Sequence, residues 1–473
     1  MPTVLVVGEH HTLPAAELYE TFGSARAGTG WLLGAECDAV RPGAAVSADV
    51  PLDGSGAAVR LLGRISGCVP GSRITITHDQ PWAGRIVLRF TDEPGGSRLS
   101  VTAELDDAGL AWWMEQRGWV DPDDHDPRQH RIGMLTSKTG PGADFALSCE
   151  YLARLAVDEV NDDGGIHGAP LVLEVRDDGT DPARAAVEAA GMIRRGCRAI
   201  VASVTSASFE SIHRGTRSSP VPLIHAVLNE GGAEAAHVFR WGERPFDQVR
   251  EAVPHLRRQG SDRRWFHIGN DYSWSRGAHR ATAHALDLAD SRLIGYQLVP
   301  LGTSDFSRSI DLIRATGARS IVSSLVGADE VAFQRQFFAA GARDDHTMLS
   351  LAMEESTRER VGDRVSRDVW SAFGYYSSLE NDANSDLRGR YLERHGRWAP
   401  PISTFSEGVY EAIILYARAA VAARGDGDEV LRRLARLRGD LPRGQVELFG
   451  HQDMRQKIHV ARFTEQGYRM AEG

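Results

Sequence analysis

From Arg131 onward the chain alternates short apolar runs with stretches of helical spacing, and few architectures tolerate that rhythm. RIGMLTS (131–137) reads as a strand, and Leu147 to Val160 carries a helical period. LVLEVRDD (171–178) is a strand again. A helix follows from Asp181 to Arg195, with Pro182 in its first turn, where a missing N–H costs nothing. AIVASV, PLIHAV, RWFHIG, RLIGYQLVP, SIVSSLVG and TMLSLAM continue the cycle. Apolar strands separated by helices are the mark of parallel sheets built from βαβ units. Two such series predict two α/β lobes.

The first 118 residues have a different rhythm. GRISGCV, SRITITHD, GRIVLRF and SRLSVTAEL are short and β-branched, and VPGSR, PWAG and DEPGGS separate them as turns. The pattern predicts an antiparallel meander, with an early helix over Leu13 to Phe22 and a closing helix over Asp107 to Gly118. The stretch GWVDPDDHDPRQHR (118–131) is rich in Asp, Pro and His and too poor in apolar residues to offset its ordering entropy. It reads as a linker.

At 473 residues the chain exceeds one domain of about 100–200 residues. Its 42% apolar and 25% charged content is that of an ordinary globular protein. The net charge of −10 opposes direct nucleic-acid binding. VLVV (4–7) is too short for a signal h-region, no basic residue precedes it, and no apolar run reaches the ~18 residues of a membrane span. Cys37, Cys68, Cys149 and Cys197 are too scattered for a zinc module or a disulfide framework. They are expected to be reduced thiols, and the protein cytoplasmic.

No phosphate-binding loop, GxSxG or HExxH is present, so no cofactor, metal or enzymatic activity is expected. His10–His11 and the basic run RRLARLRGDLPR (432–443) read as solvated surface. Strand ends remain, which in open α/β sheets face the ligand crevice. SKTGPGAD (137–144) offers Thr139 in a turn. ASVTSAS (202–208) offers Ser206 and Ala207 opening a helix, where free N–H groups attract oxygen. IHAVLNEG (224–231) offers His225 and Val227, and IGNDYSW (268–274) offers Tyr272 and Trp274. Each has a structural alternative: a plain turn, a helix cap, a buried histidine, a packed aromatic corner.

The segments RIGMLTSKTGPGADF, LAVDEVNDDGGIHGAPLVLEVRDDGTDPARA and AIVASVTSAS resemble the type I periplasmic-binding-protein family. Within it they are most similar to urea- and short-amide-binding proteins and to cytoplasmic amide sensors. The likeness continues through IGNDYSW and AFGYYSSLEN to the tail LPRGQVELFGHQDMRQKIHVARF. It implies two lobes joined by crossover strands, a ligand in the cleft between them, and hinge closure. Carried over residue by residue, Ser206 meets the ligand's polar group, and Tyr272 and Trp274 are second-lobe aromatics. Val326, Gly327 and Glu354 stand at second-lobe strand ends. The branch's Tyr-Pro pair is His225–Ala226 here, its next Tyr is Asn229, and Val204 replaces an aromatic. These departures imply a ligand larger or more polar than urea.

Residues 1–118 resemble the START-like helix-grip fold, near its Hsp90-activator-homology branch, through WLLGAECDAVRPGAAV and the VPGSR and GGSRL turns. Trp31, Trp82, Trp112 and Trp113 are expected in its core or cavity wall. The expected fold is therefore α/β: a two-lobed type I periplasmic-binding-protein fold behind an N-terminal α+β helix-grip domain. The expected layout is a 1–118 domain, a 119–129 linker and a 130–473 binding domain. Its first lobe takes 130–246 and 380–426, and its second 247–379 and 427–473. The leading expectation is a cytoplasmic sensor of an amide, amino-acid-like or short-acid ligand, with a regulatory protein partner and a homodimer both compatible with the family. The alternatives are the receptor of an ABC importer, and a START-like enzyme using Asp38, His78, Asp106 or Asp107.

Overall fold

The computed structural model describes residues 3–22, 35–37, 39–51, 58–80, 83–105, 128–449 and 453–471. The chain divides into two compact units, Met1–Asp124 with Lys138–Gly140, and His125–Ser137 with Pro141–Gly473.

The first unit is a seven-stranded antiparallel sheet. Ala58–Val69, Arg73–Gln80, Gly84–Glu93 and Gly96–Leu105 are neighbours in chain order, the meander that the turn signals predict. Alternation does the rest: Ile74, Ile76, Leu88 and Phe90 are buried while Arg73, Arg85 and Arg89 face outward. The early helix is Ala15–Glu20, shorter than expected. Leu18 and Tyr19 enter the core, and Asp92 accepts its leading Ala15 N–H at 2.7 Å. The terminal strand Thr3–His11 pairs with Gly96–Leu105, which the turn pattern does not reveal. His10 pairs with Glu93 on the surface, and His78 is buried. The expected closing helix at 107–118, most of the linker, Asp38, Asp106, Asp107 and the four tryptophans lie outside the described residues.

The second unit carries the strand–helix alternation. Its first lobe is a five-stranded parallel sheet in the order Val238–Arg240, Leu223–His225, Ile200–Ser203, His130–Thr136, Leu171–Asp177. Its second is a seven-stranded sheet. Five parallel strands, Arg292–Val299, Arg264–Asn270, Ser320–Ser324, Thr347–Ser350 and Val369–Phe373, are followed by the antiparallel His459–Thr464 and Gly467–Met470. Gly164 and Gly165 take φ of +96° and +70° after the helix Ala146–Asp162, and Ile166 is buried as the chain turns into the next strand. The helix Gly427–Leu434 packs on the helix Thr404–Ala422, so the first lobe extends past the expected break at 427.

The basic run at 432–443 is not wholly solvated surface. Arg432 and Arg433 pair with Glu429 there, but Arg443 is 1% exposed and forms ion pairs with Glu407 and Glu411. Burial works against its charge, and these glutamates together with Glu243 hold it cationic. Glu243 also accepts from Gly374 N at 2.7 Å and Thr404 Oγ1 at 2.5 Å. One polar cluster thus ties three chain crossings between the lobes. No helix of the described residues is long and apolar enough to cross a membrane, and among the described residues no cysteine is in a disulfide.

Candidate functional site

In both lobes the parallel strands end at one interlobe cavity. Ile200–Ser203 leads to Val204, Thr205 and Ser206, and Leu223–His225 leads to Val227 and Leu228. Across from them, Arg264–Asn270 delivers Tyr272 and Trp274, Ser320–Ser324 delivers Val326 and Gly327, and Thr347–Ser350 delivers Ala352. Gly142, Phe145, Thr357 and Phe405 complete the wall. The cavity offers about 40 Å³, room for little more than water, so a larger ligand needs the lobes to part.

The wall is apolar apart from Thr205, Ser206, Tyr272 and Thr357, and among the described residues no charged side chain lines it. Its polarity comes from helix starts. The helices Ser206–Thr216, Ser273–Leu288, Gly327–Ala339 and Thr404–Ala422 all begin at the cavity. No side chain caps the Ser273 or Gly327 helix; first-turn N–H groups of the Ser273 helix stay available for oxygen, whereas Ala328 N and Asp329 N of the Gly327 helix already meet the Pro141 and Val326 carbonyls. Trp274 is 1% exposed, and its indole N–H has no partner among the described residues. A buried donor left this way costs about 1–3 kcal/mol unless a ligand or water accepts from it. Tyr272 is half-buried, its ring 6.3 Å from that of Trp274. Burial, then Glu230 and Asp329, push its phenol well above the ordinary range, so it remains a donor.

The structure brings Ser206, Val227, Tyr272, Trp274, Val326 and Gly327 together. It leaves the other four expected residues off the wall. His225 is 1% exposed beneath Phe209, its ring stacked at 4.4 Å and its Nε2 2.9 Å from the Val204 carbonyl. Its residue type suits a site, but its strand register turns it under the Ser206 helix. Burial holds it neutral, down to about 4. Glu354 caps its own helix, accepting from Ser356 N at 2.8 Å and Thr357 N at 2.7 Å. Ala207 follows Ser206 in sequence and Thr139 lies three residues before Gly142, and neither lines the cavity. The cap before Ser206 is Thr205, which accepts from Ser208 N. Ser206 is the first helical residue and donates to Glu230 Oε2 at 2.5 Å. Asn270 does not cap its helix. It bridges Val326 N and Asp329 at 3.0 and 2.6 Å, fixing two strand ends together.

The lobes touch around this cavity. Arg360 pairs with Asp144 at 3.2 Å, both nearly buried, and Ala328 N reaches the Pro141 carbonyl at 3.5 Å. Asp329 accepts from Gly302 N and Thr303 N at 2.9 and 3.0 Å. Burial, with Asp144 adding to it, lifts its carboxyl to about 6. Among the described residues no three His, Cys, Asp or Glu side chains gather as a metal site.

A periplasmic binding protein family model matches residues 129–468. A Leu/Ile/Val-binding protein homolog of Brucella melitensis is 24% identical over 215 residues, 44% of this chain and 58% of that protein. BraC3, a Leu/Ile/Val-binding protein of Rhizobium johnstonii, is 39% identical over 75 residues, 16% of this chain and 20% of that protein. The chain thus spans less than two thirds of either relative. Among solved structures, a Rhodopseudomonas palustris ABC-transporter solute-binding protein in complex with 4-hydroxybenzoate aligns with a TM-score of 0.65 at 16% identity, covering 73% of this chain and 95% of that one. The branched-chain amino acid transporter protein LivJ of Streptococcus pneumoniae, in complex with isoleucine, gives 0.63 at 17% identity, covering 73% of this chain and all of that one. At such identities these neighbours establish the fold. With the two lobes, the interlobe cavity and the family match over 129–468, the chain belongs to the periplasmic binding protein family.

Proposed function

We propose that residues 128–471 are a solute receptor of the kind that serves ABC importers, closing over an amino-acid-like molecule with an apolar body. The observation that carries this is the interlobe cavity itself: an apolar wall, four helix starts, and the donors of Tyr272 and Trp274. Helix starts suit a carboxylate or carbonyl oxygen. Phe145, Trp274 and Phe405 suit an aliphatic or aromatic body. The relatives' names, Leu/Ile/Val-binding, support this class over urea or short amides. Titration calorimetry with branched-chain amino acids, hydroxybenzoates and short amides tests it, read beside melting temperature. A ligand at a hundred times its Kd stabilises by about 2.7 kcal/mol. If no compound class gives heat or a melting shift, the reading is lost.

A second reading keeps the same cleft but makes the protein a cytoplasmic sensor of the amide-sensor type. The separate compact unit ahead of the binding unit favours it, since closure would then have a second unit in the same chain to act on. The seven-stranded antiparallel sheet with its short helix supports reading that first unit as a START-like fold. Cell fractionation separates the two readings: surface or periplasmic recovery excludes the sensor, and cytoplasmic recovery excludes the importer receptor.

A further inference from the structure

The first lobe carries a second pocket, at the edge of its sheet where the parallel strands begin, whereas the cleft lies where they end. His130 opens the strand His130–Thr136, Cys197 and Arg198 precede Ile200–Ser203, and Pro220 to Pro222 lead into Leu223–His225. The pocket offers about 480 Å³, within the roughly 300–1,000 Å³ of small-molecule sites, against about 40 Å³ in the cleft. Its wall residues, among those described, all belong to the first lobe, so closure of the lobes does not gate it.

Ile166, Val221, Pro222, Ala420 and Val430 make much of this wall apolar. Set into it is a polar pair with a defined direction. The Tyr416 Oη lies 2.9 Å from His130 Nε2 and 3.3 Å from the Arg198 carbonyl oxygen. A carbonyl only accepts, so the phenol donates to it and takes the Nε2 hydrogen of His130. That leaves His130 Nδ1 as an acceptor, with no partner among the described residues. Burial, then Arg198 and His167, holds the ring neutral, down to about 4. Beside it the exposed Arg198 guanidinium forms no ion pair or side-chain hydrogen bond among the described residues. Of the acidic groups that border the pocket, Asp426 is spent on its own helix start, accepting from Asp428 N at 2.9 Å and Glu429 N at 3.2 Å, and Asp428 is exposed to water. The pocket thus presents one free cation, one neutral acceptor and an apolar surface.

We propose that this pocket is a second small-molecule site, for a flat aromatic acid whose ring carries an N–H or hydroxyl: Arg198 takes the carboxylate, His130 Nδ1 accepts the ring donor, and the apolar wall covers the ring. It goes beyond the solute-receptor reading and stands or falls without it. The test is calorimetry on the full chain with three probes of similar shape: indole-3-acetate, 1-naphthylacetate, which lacks the N–H, and tryptamine, which carries an ammonium in place of the carboxylate. Indole-3-acetate should bind about 5-fold tighter than 1-naphthylacetate and at least about 10-fold tighter than tryptamine. Arg198→Glu, a change at an exposed side chain, should weaken indole-3-acetate at least about 10-fold, while Gly327→Ala, at the cleft, should leave its affinity as it was. Affinity that is lost in Gly327→Ala and kept in Arg198→Glu puts the probe in the cleft and overturns the proposal. Tryptamine binding as tightly as indole-3-acetate, or no heat from indole-3-acetate, overturns it as well. Equal affinity for the two acids overturns the role of His130. None of these results touches the receptor reading, which is judged by ligands of the cleft.

Discussion

The buried carboxyl of Glu355 makes the stability of this protein sensitive to base. Its Oε1 accepts from Ser377 N at 3.0 Å and Tyr468 Oη at 3.2 Å, while Oε2 has no partner among the described residues. Burial, with Glu354 next to it, lifts it to about 8. The folded form therefore keeps a proton that the unfolded chain releases near 4.5. Its contribution is full below 4.5 and is lost as pH rises through 8. Glu355→Gln, uncharged at every pH, should be more stable than the wild type at pH 8 by a few kcal/mol, at about 1.4 kcal/mol for each pH unit that separates the folded and unfolded values. The gap should shrink towards pH 5. Urea melts across that range measure it, and a pH-independent gap counts against the assignment. Trp274 gives a second residue-scale expectation. Trp274→Phe removes an indole N–H that no group among the described residues accepts. The ligand-free melting temperature should move by only a few degrees, while ligand affinity should fall about 5-fold. An unchanged affinity means that the N–H faces no ligand.

At the scale of elements, the site depends on how closely a helix start can approach the opposite lobe. Gly327 opens its helix at φ +55°, and a Cβ there would collide with the Pro141 carbonyl oxygen of the first lobe. Gly327→Ala should therefore hold the lobes apart and weaken ligand at least about 10-fold, with a folding penalty of only ~1 kcal/mol from the left-handed backbone. Comparing calorimetry with melts separates the two effects; equal losses in both would mean general destabilisation. Helix starts of this kind are legible in sequence. IGNDYSW announces a strand handing over to a helix, and Tyr272 and Trp274 stand on the wall as that corner implies. What the letters do not carry is which way a strand-end side chain turns. His225 looks as functional as Tyr272, yet it packs under Phe209. Glu354 looks like a ligand for an amine, yet it is spent on its own helix cap. Phe405 and Thr357 reach the wall through tertiary packing alone, and Arg443 leaves a surface-like basic run for a buried cluster whose glutamates lie far off in the chain. Local pattern encodes elements; the partners that decide burial are non-local.

For the molecule as a whole, binding is a choice between an open cleft and the closed one, and the contacts that cross it set the balance. The Asp144–Arg360 pair crosses it with both side chains nearly buried, and among the described residues the Asp144 oxygens have no hydrogen-bond partner besides that pairing. Removing the arginine alone leaves a carboxylate buried without a counter-charge, which costs more than the pair itself contributes. The cheapest relief is to part the lobes and return Asp144 to water. Arg360→Met should therefore populate the open form, weakening leucine or whichever probe binds by about 10-fold or more, and should raise the radius of gyration by small-angle scattering. Adding Asp144→Asn removes the stranded charge. The double variant should recover most of the affinity, with a coupling of roughly 1–3 kcal/mol between the two positions. Additive losses would place Arg360's effect within its own lobe, and an unchanged radius of gyration in Arg360→Met would mean that this ion pair does not hold the cleft shut.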